Sequence, residues 1–324
     1  MQFQHSATYP DDTMNAELPN TEIDRLTTEA VNPASSKIDT LSPLEFVRLM
    51  SAEDLTVPQA VAREAEPIAK AIQVISDRIR NGGRLIYIGA GTSGRLGVLD
   101  ASECPPTFST PPEMIVGLIA GGDSALRKAA EGVEDRPEAA VEDLQLIKLN
   151  AKDVLVGIAT SGRTPYVIGA LEYARSVGAF AIGFACNEGS ALTGVADLMI
   201  TPIVGPEVIT GSTRMKAGTA TKLVLNMLTT GAMVQLGKTY GNLMVDLKAS
   251  NSKLVARSRR LVSLLTGVSE ETAGAELRKC DGELKTAVVM LKRNVDPTAA
   301  RVILRECDQQ LRLALDGGSG SAPA

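Results

Sequence analysis
The chain has 324 residues, 44% of them hydrophobic, with 33 Lys+Arg against 38 Asp+Glu and a formal net charge of -5. This is enough apolar sequence for one large α/β unit with a small appendage, and it excludes disorder as the default reading. Mild acidity, with no Lys/Arg-rich run, argues against nucleic acid or an anionic membrane as the main partner.

The opening Met1-Gln2-Phe3-Gln4-His5 has neither a cationic start nor an apolar stretch, and no later segment approaches a membrane span in length. A cytoplasmic location is expected. Cys104, Cys186, Cys280 and Cys307 form no Cys-x-x-Cys pair, as for reduced thiols, and indicate neither a disulfide framework nor a zinc site. His5 is the single histidine and lies in a polar terminal stretch. Proton transfer near neutral pH therefore falls to carboxylates, Lys, Tyr or Cys.

Residues 1–25 read as a flexible extension and 316–324 as a flexible Gly/Ser tail. Between them, the spacing of Val61, Ile68, Ile72, Ile75 and Ile79 predicts a helix over 57–80, ended by Asn81-Gly82-Gly83. Short apolar runs at 85–88, 114–119, 154–158, 180–184 and 198–201 predict buried strands, separated by helical sequence such as 165–177. That alternation predicts an α/β fold, a doubly wound parallel sheet flanked by helices, over 26–245. A long helix is expected over 216–236. The pattern turns wholly helical beyond about Lys253, with a capped start at Gly267-Val268-Ser269-Glu270-Glu271, so 246–315 is expected to form a small C-terminal all-helical subdomain.

Two glycine loops carry the chemistry. Gly89-Ala90-Gly91-Thr92-Ser93-Gly94 follows a strand and opens a helix, which fits the dinucleotide fingerprint on its face. However, Thr92-Ser93-Gly94-Arg95 reappears as Thr160-Ser161-Gly162-Arg163, again directly after an apolar strand. Two hydroxyl-rich strand-to-helix turns suit a phosphate monoester, and the repeat favours a sugar phosphate over a dinucleotide. The alternative is that these residues merely form tight turns and helix caps. Gly237-Lys238-Thr239 is not a Walker A loop, because Gly231 stands one position too far back and the stretch ends a helix.

The string Leu99-Asp100-Ala101-Ser102-Glu103-Cys104-Pro105-Pro106-Thr107 resembles the signature of the N-acetylmuramic acid 6-phosphate etherases, relatives of the SIS isomerases and of the glucokinase regulatory protein. The likeness continues through Glu131-Gly132-Val133-Glu134-Asp135, through 159–166, and through 205–219, and spans roughly Thr27 to Leu313. It implies an SIS-type fold and a lyase that removes the D-lactyl ether of a 6-phosphorylated amino sugar in cell-wall recycling, with no metal or organic cofactor. It also implies a homodimer, for which the apolar Leu223, Leu225, Met227 and Leu228 of the long helix offer a surface.

The same resemblance assigns catalysis to Glu103 and Glu134. It assigns substrate binding to Gly91, Thr92, Ser93, Thr160, Ser161, Arg163, Thr164 and Ser212, with Glu207 in a supporting role. From residue chemistry alone both catalytic candidates read as solvated carboxylates, Glu134 within the acidic run Glu131, Glu134, Asp135, Glu138, Glu142 and Asp143. The apolar neighbours Leu99, Cys104 and Phe108 predict partial desolvation of Glu103, which would keep it protonated as an acid. A non-catalytic sugar-phosphate regulator and a keto-aldose isomerase are the rival readings. The regulator would need no acid at Glu103, and released D-lactate separates the etherase from the isomerase.

Overall fold
In a computed structural model that describes residues 26–128, 130, 132–247 and 252–317, short apolar segments pair into one sheet. Its strands are β1 (Leu85–Gly89), β2 (Ile115–Ile119), β3 (Val154–Ile158), β4 (Phe180–Phe184) and β5 (Leu198–Ile200). All neighbours are parallel, in the order β2-β1-β3-β4-β5. Parallel strands covered on both faces need apolar side chains pointing both ways, and the period of two delivers this. Leu85 and Tyr87 enter one core with Val154 and Val156, while Ile86, Ile88 and Leu155 enter the other.

The first helices are α1 (Pro43–Asp54), α2 (Val57–Ala62) and α3 (Ala65–Arg80), followed after β1 by α4 (Gly91–Phe108). Next come α5 (Pro137–Leu146), α6 (Pro165–Ser176) and α7 (Lys216–Gln235). Helices α3, α4 and α7 cover one face, and α5 and α6 the other. The expected helix over 57–80 is two helices, broken at Arg63 and Glu64, where the Glu64 carboxylate accepts a bond from the Thr201 N–H at 2.8 Å.

Helix α7 follows from a buried cap. Glu207, fully buried, accepts the N–H groups of Lys216 and Ala217, each at 2.9 Å, and so satisfies two donors of the helix's first turn. Burial pushes the Glu207 carboxyl above its ordinary value despite these bonds. Of the four apolar residues expected to offer a subunit surface, Leu225 and Leu228 are fully buried within the chain. Leu223 is half-buried and Met227 is 43% exposed.

After α7, a hairpin that the sequence pattern did not signal pairs β6 (Thr239–Tyr240) with β7 (Leu243–Met244). Helices α8 (Ser252–Thr266), α9 (Glu270–Lys279), α10 (Leu284–Arg293), α11 (Pro297–Glu306) and α12 (Leu311–Asp316) then enclose a separate third core. Ser269 caps α9 as expected, its Oγ accepting the Thr272 N–H at 3.1 Å. Among the described residues no helix is long and apolar enough to cross a membrane. The four cysteines are free and buried. The expected terminal extension with His5, and the tail from residue 318 on, lie outside the described residues.

Candidate active site
The chain runs from β1 outward to β2, then returns across β1 to β3, so β1 and β3 flank a topological switch point. In an open parallel sheet the crevice for a ligand forms there, outside the carboxyl ends of the strands. Gly89 pairs with Ile158 in register, and each glycine loop begins at the next residue. The duplicated strings are therefore side by side by construction of the sheet.

Each loop turns directly into a helix whose first turn lacks a side-chain cap: Ala90 precedes α4 and Thr164 precedes α6 without capping. The positive ends of the two helices make this an anion-binding region. Two glycines are geometrically required. At Gly94 a Cβ would stand 2.6 Å from the Gly89 carbonyl oxygen, so only glycine lets α4 start this close to β1. Gly162, with φ +74°, has its N–H bonded to the Ala159 carbonyl at 2.8 Å, and any Cβ there would collide with the Ser190 side chain.

The loops enclose a cavity of about 280 Å³, lined among others by Gly91, Thr92, Ser93, Thr160, Ser161, Thr164 and Glu134. Glu134 is delivered by a 3-10 turn, Val133–Asp135, rather than by a solvated helix face, because α5 starts only at Pro137. Among the lining residues there is no Lys or Arg. Backbone N–H groups and hydroxyls are the donors facing the cavity.

Three expected binding residues sit elsewhere. Arg163 does not line the cavity; its N–H bonds to Ser161 Oγ at 3.3 Å and stabilises the turn. Ser212 is not among the lining residues, whereas the adjacent Thr213 is. Glu207 is the buried cap of α7 described above, with both oxygens committed to the Lys216 and Ala217 N–H groups; it is not among the lining residues, although Gly218, the next residue of that helix turn, is. Sequence reasoning missed Glu29, Thr213 and Gly218, which complete the lining. For Glu29 the available signal was that the family likeness begins at Thr27.

Glu103 lies within α4, twelve residues beyond Gly91, hence about 18 Å along the helix axis at about 1.5 Å per residue. It lines a second, smaller cavity with Leu96, Leu99, Asp100, Lys222, Leu225 and Asn226. The expected desolvation falls on its neighbours: Cys104 and Phe108 are buried, whereas Glu103 is exposed and Leu99 is 49% exposed. Beneath it runs a polar network from buried Tyr87 and Asp100 out to exposed Lys222. Asp100 accepts the Tyr87 hydroxyl at 3.0 Å and the Asn226 amide at 2.6 Å, and Lys222 donates to Asn226. Burial raises the Asp100 carboxyl in spite of these donors.

Residues 67–175 match the glucokinase regulatory protein N-terminal SIS domain, and residues 131–231 match the SIS domain. The N-acetylmuramic acid 6-phosphate etherase of Rhodopirellula baltica is 61% identical over 90% of this chain and 96% of that protein. The protein of the same name from Streptomyces avermitilis is 57% identical over 91% of this chain and 94% of its own length. That from Escherichia coli is 53% identical over 91% of this chain and 99% of its own length. With the paired hydroxyl-rich loops at the switch point of a parallel sheet, this identity over nearly the full length shows that the chain belongs to the N-acetylmuramic acid 6-phosphate etherases.

Proposed function
We propose that the chain cleaves the D-lactyl ether of N-acetylmuramic acid 6-phosphate by elimination and water addition, giving N-acetylglucosamine 6-phosphate and D-lactate. The observation that carries this reading is one cavity lined by both hydroxyl-rich loops and by Glu134. The phosphate seats at the uncapped starts of α4 and α6, and its binding energy orients carbons several bonds away.

An alkyl ether is a poor leaving group. Once the sugar ring opens, the C1 aldehyde acidifies the C2 proton, a carboxylate removes it, and lactate leaves C3 as its oxygen is protonated. Water then adds at C3 by the reverse transfers. Glu134, in the cavity, and Glu103, supplied by a second copy because it stands about 18 Å from this chain's own first loop, are the two carboxylates of this reading, and it requires no metal or organic cofactor.

The position of Glu103 brings a homodimer into the same proposal. The α4 and α7 residues around it present Leu99 at 49% and Met227 at 43% exposure. Next to them an apolar groove is lined by Ile68, Ala69 and Ile72 of α3 with Leu223, Met227 and Gly231 of α7. A second copy covering this continuous face would bury it and enclose Glu103. The division near residue 245 belongs to the same reading, supported by the separate core of α8–α12.

The test is to incubate the protein with N-acetylmuramic acid 6-phosphate and assay D-lactate, with and without a chelator, in D2O. Lactate release with deuterium incorporated at C2 of the product supports the reading. Turnover without lactate release refutes it in favour of an isomerase.

A further inference from the structure
The cavity holds a second carboxylate that no part of the scheme above uses. Glu29 ends a 3-10 turn, Thr27–Glu29, in a segment with no sheet or α-helix of its own, and its side chain lines the cavity with Glu134. The residue before it is clamped to the second glycine loop. Thr28 is fully buried, its N–H donates to Asn187 Oδ1 at 3.2 Å, and its Oγ1 accepts from Asn187 Nδ2 at 3.0 Å. Asn187 Nδ2 also donates to the Thr160 carbonyl at 3.1 Å.

This irregular segment therefore holds a fixed position relative to the phosphate-binding loop. On its other side the Glu29 carboxylate lies over Gly211, where a Cβ would come 3.0 Å from Oε2. Among the described residues Glu29 makes no ion pair and no side-chain hydrogen bond. A half-buried carboxylate held in place by its backbone, with its oxygens uncommitted, is arranged to meet a ligand rather than to stabilise the fold.

We infer that Glu29 is the carboxylate that opens the sugar ring. The inference rests on the proposed etherase reading, in which a ring-opened aldehyde precedes elimination. Opening requires the C1 hydroxyl to lose its proton, the C1–O5 bond to break as C1=O forms, and O5 to gain a proton. One carboxylate accepts the first proton and returns it to O5, so it ends unchanged. Glu134 and Glu103 are occupied by the C2 proton and the leaving oxygen, and Glu29 is the carboxylate of the cavity left for this step.

The experiment follows exchange between the α and β anomers of N-acetylglucosamine 6-phosphate by NMR, alongside D-lactate release, for wild type, Glu29→Gln, Glu29→Asp and Glu134→Gln. Thermal melting checks folding, and competition by inorganic phosphate checks the anion site. The expected result is that Glu29→Gln slows both anomer exchange and lactate release by roughly a hundredfold, with phosphate competition unchanged. Glu29→Asp should recover part of both, and Glu134→Gln should lose lactate release but keep anomer exchange. Anomer exchange at the wild-type rate in Glu29→Gln overturns the inference, whether or not lactate release falls. A wild type that speeds anomer exchange but releases no lactate refutes the etherase reading instead, and leaves Glu29 tested by the exchange alone.

Discussion

Replacing Glu207 by Ala separates a structural role from a substrate-binding one. The change deletes both acceptors of the Lys216 and Ala217 N–H groups, at a residue with no exposed surface. Water cannot easily replace them, so two buried donors lose their partners at about 1–3 kcal/mol each, or about 2–6 kcal/mol in total. The effect should depend on pH. Burial raises the folded-state pKa above the ordinary 4.5, so the stability contributed by Glu207 is complete below about 4.5 and declines as pH rises through the folded value. The cost of Glu207→Ala should therefore be larger at pH 5 than at pH 8. Urea denaturation followed by circular dichroism at both pH values measures it. An unchanged denaturation midpoint combined with weakened binding of a phosphorylated sugar would refute the structural assignment and return Glu207 to the substrate.

Four further outcomes are expected. Gly162→Ala, at φ +74° and against Ser190, should displace the second loop and weaken phosphosugar affinity in calorimetry at least as much as Ser161→Ala does. Ser161→Ala itself should weaken that affinity by roughly 1–3 kcal/mol, the value of a hydrogen bond to a charged group, and unchanged binding would remove the loop from the phosphate site. Glu103→Gln and Glu134→Gln should each abolish lactate release while keeping phosphosugar affinity within about an order of magnitude, as for groups that act in proton transfer. The native protein should not react with a thiol reagent at pH 8 until it is unfolded, because all four cysteines are buried and burial pushes the Cys104 thiol up to about 12.

The sheet was readable because a buried parallel strand leaves a signature of its own. The runs at 154–158 and 180–184 appear as strands over those same residues, since a short apolar stretch between turns has few other ways to hide its backbone. The paired loops followed from the same logic, because equal strings after neighbouring strands must meet at the strands' ends. What composition could not reveal was set by tertiary packing. At the break, the Glu64 carboxylate accepts a backbone N–H of residue 201, far away in sequence. Glu207 looks like a site carboxylate in the chain, yet its oxygens cap α7. Glu29 lies in a stretch without periodicity, and the bonds between Asn187 and Thr28, residues far apart in sequence, hold its segment at the cavity. The place of Glu103 was set by the unbroken length of α4, which continues through Pro105 and Pro106 to Phe108.

The third core has a consequence for how the molecule breathes. Its buried residues, from Val245 to Ala314, belong to neither of the cores that clamp the parallel sheet. Lys285, buried and lowered by desolvation, anchors the base of this core to the Gly237 and Gln309 carbonyls and to Asp246 at 3.1 Å. Units with separate interiors need not open together, because exposing one leaves the packing of the other intact. Amide hydrogen exchange should therefore fall into two tiers, with α10 at the centre of one and β1 and β3 at the centre of the other. Occupancy of the phosphate cavity should slow exchange mainly in the tier that holds the sheet, since a ligand adds its binding free energy only to openings that release it.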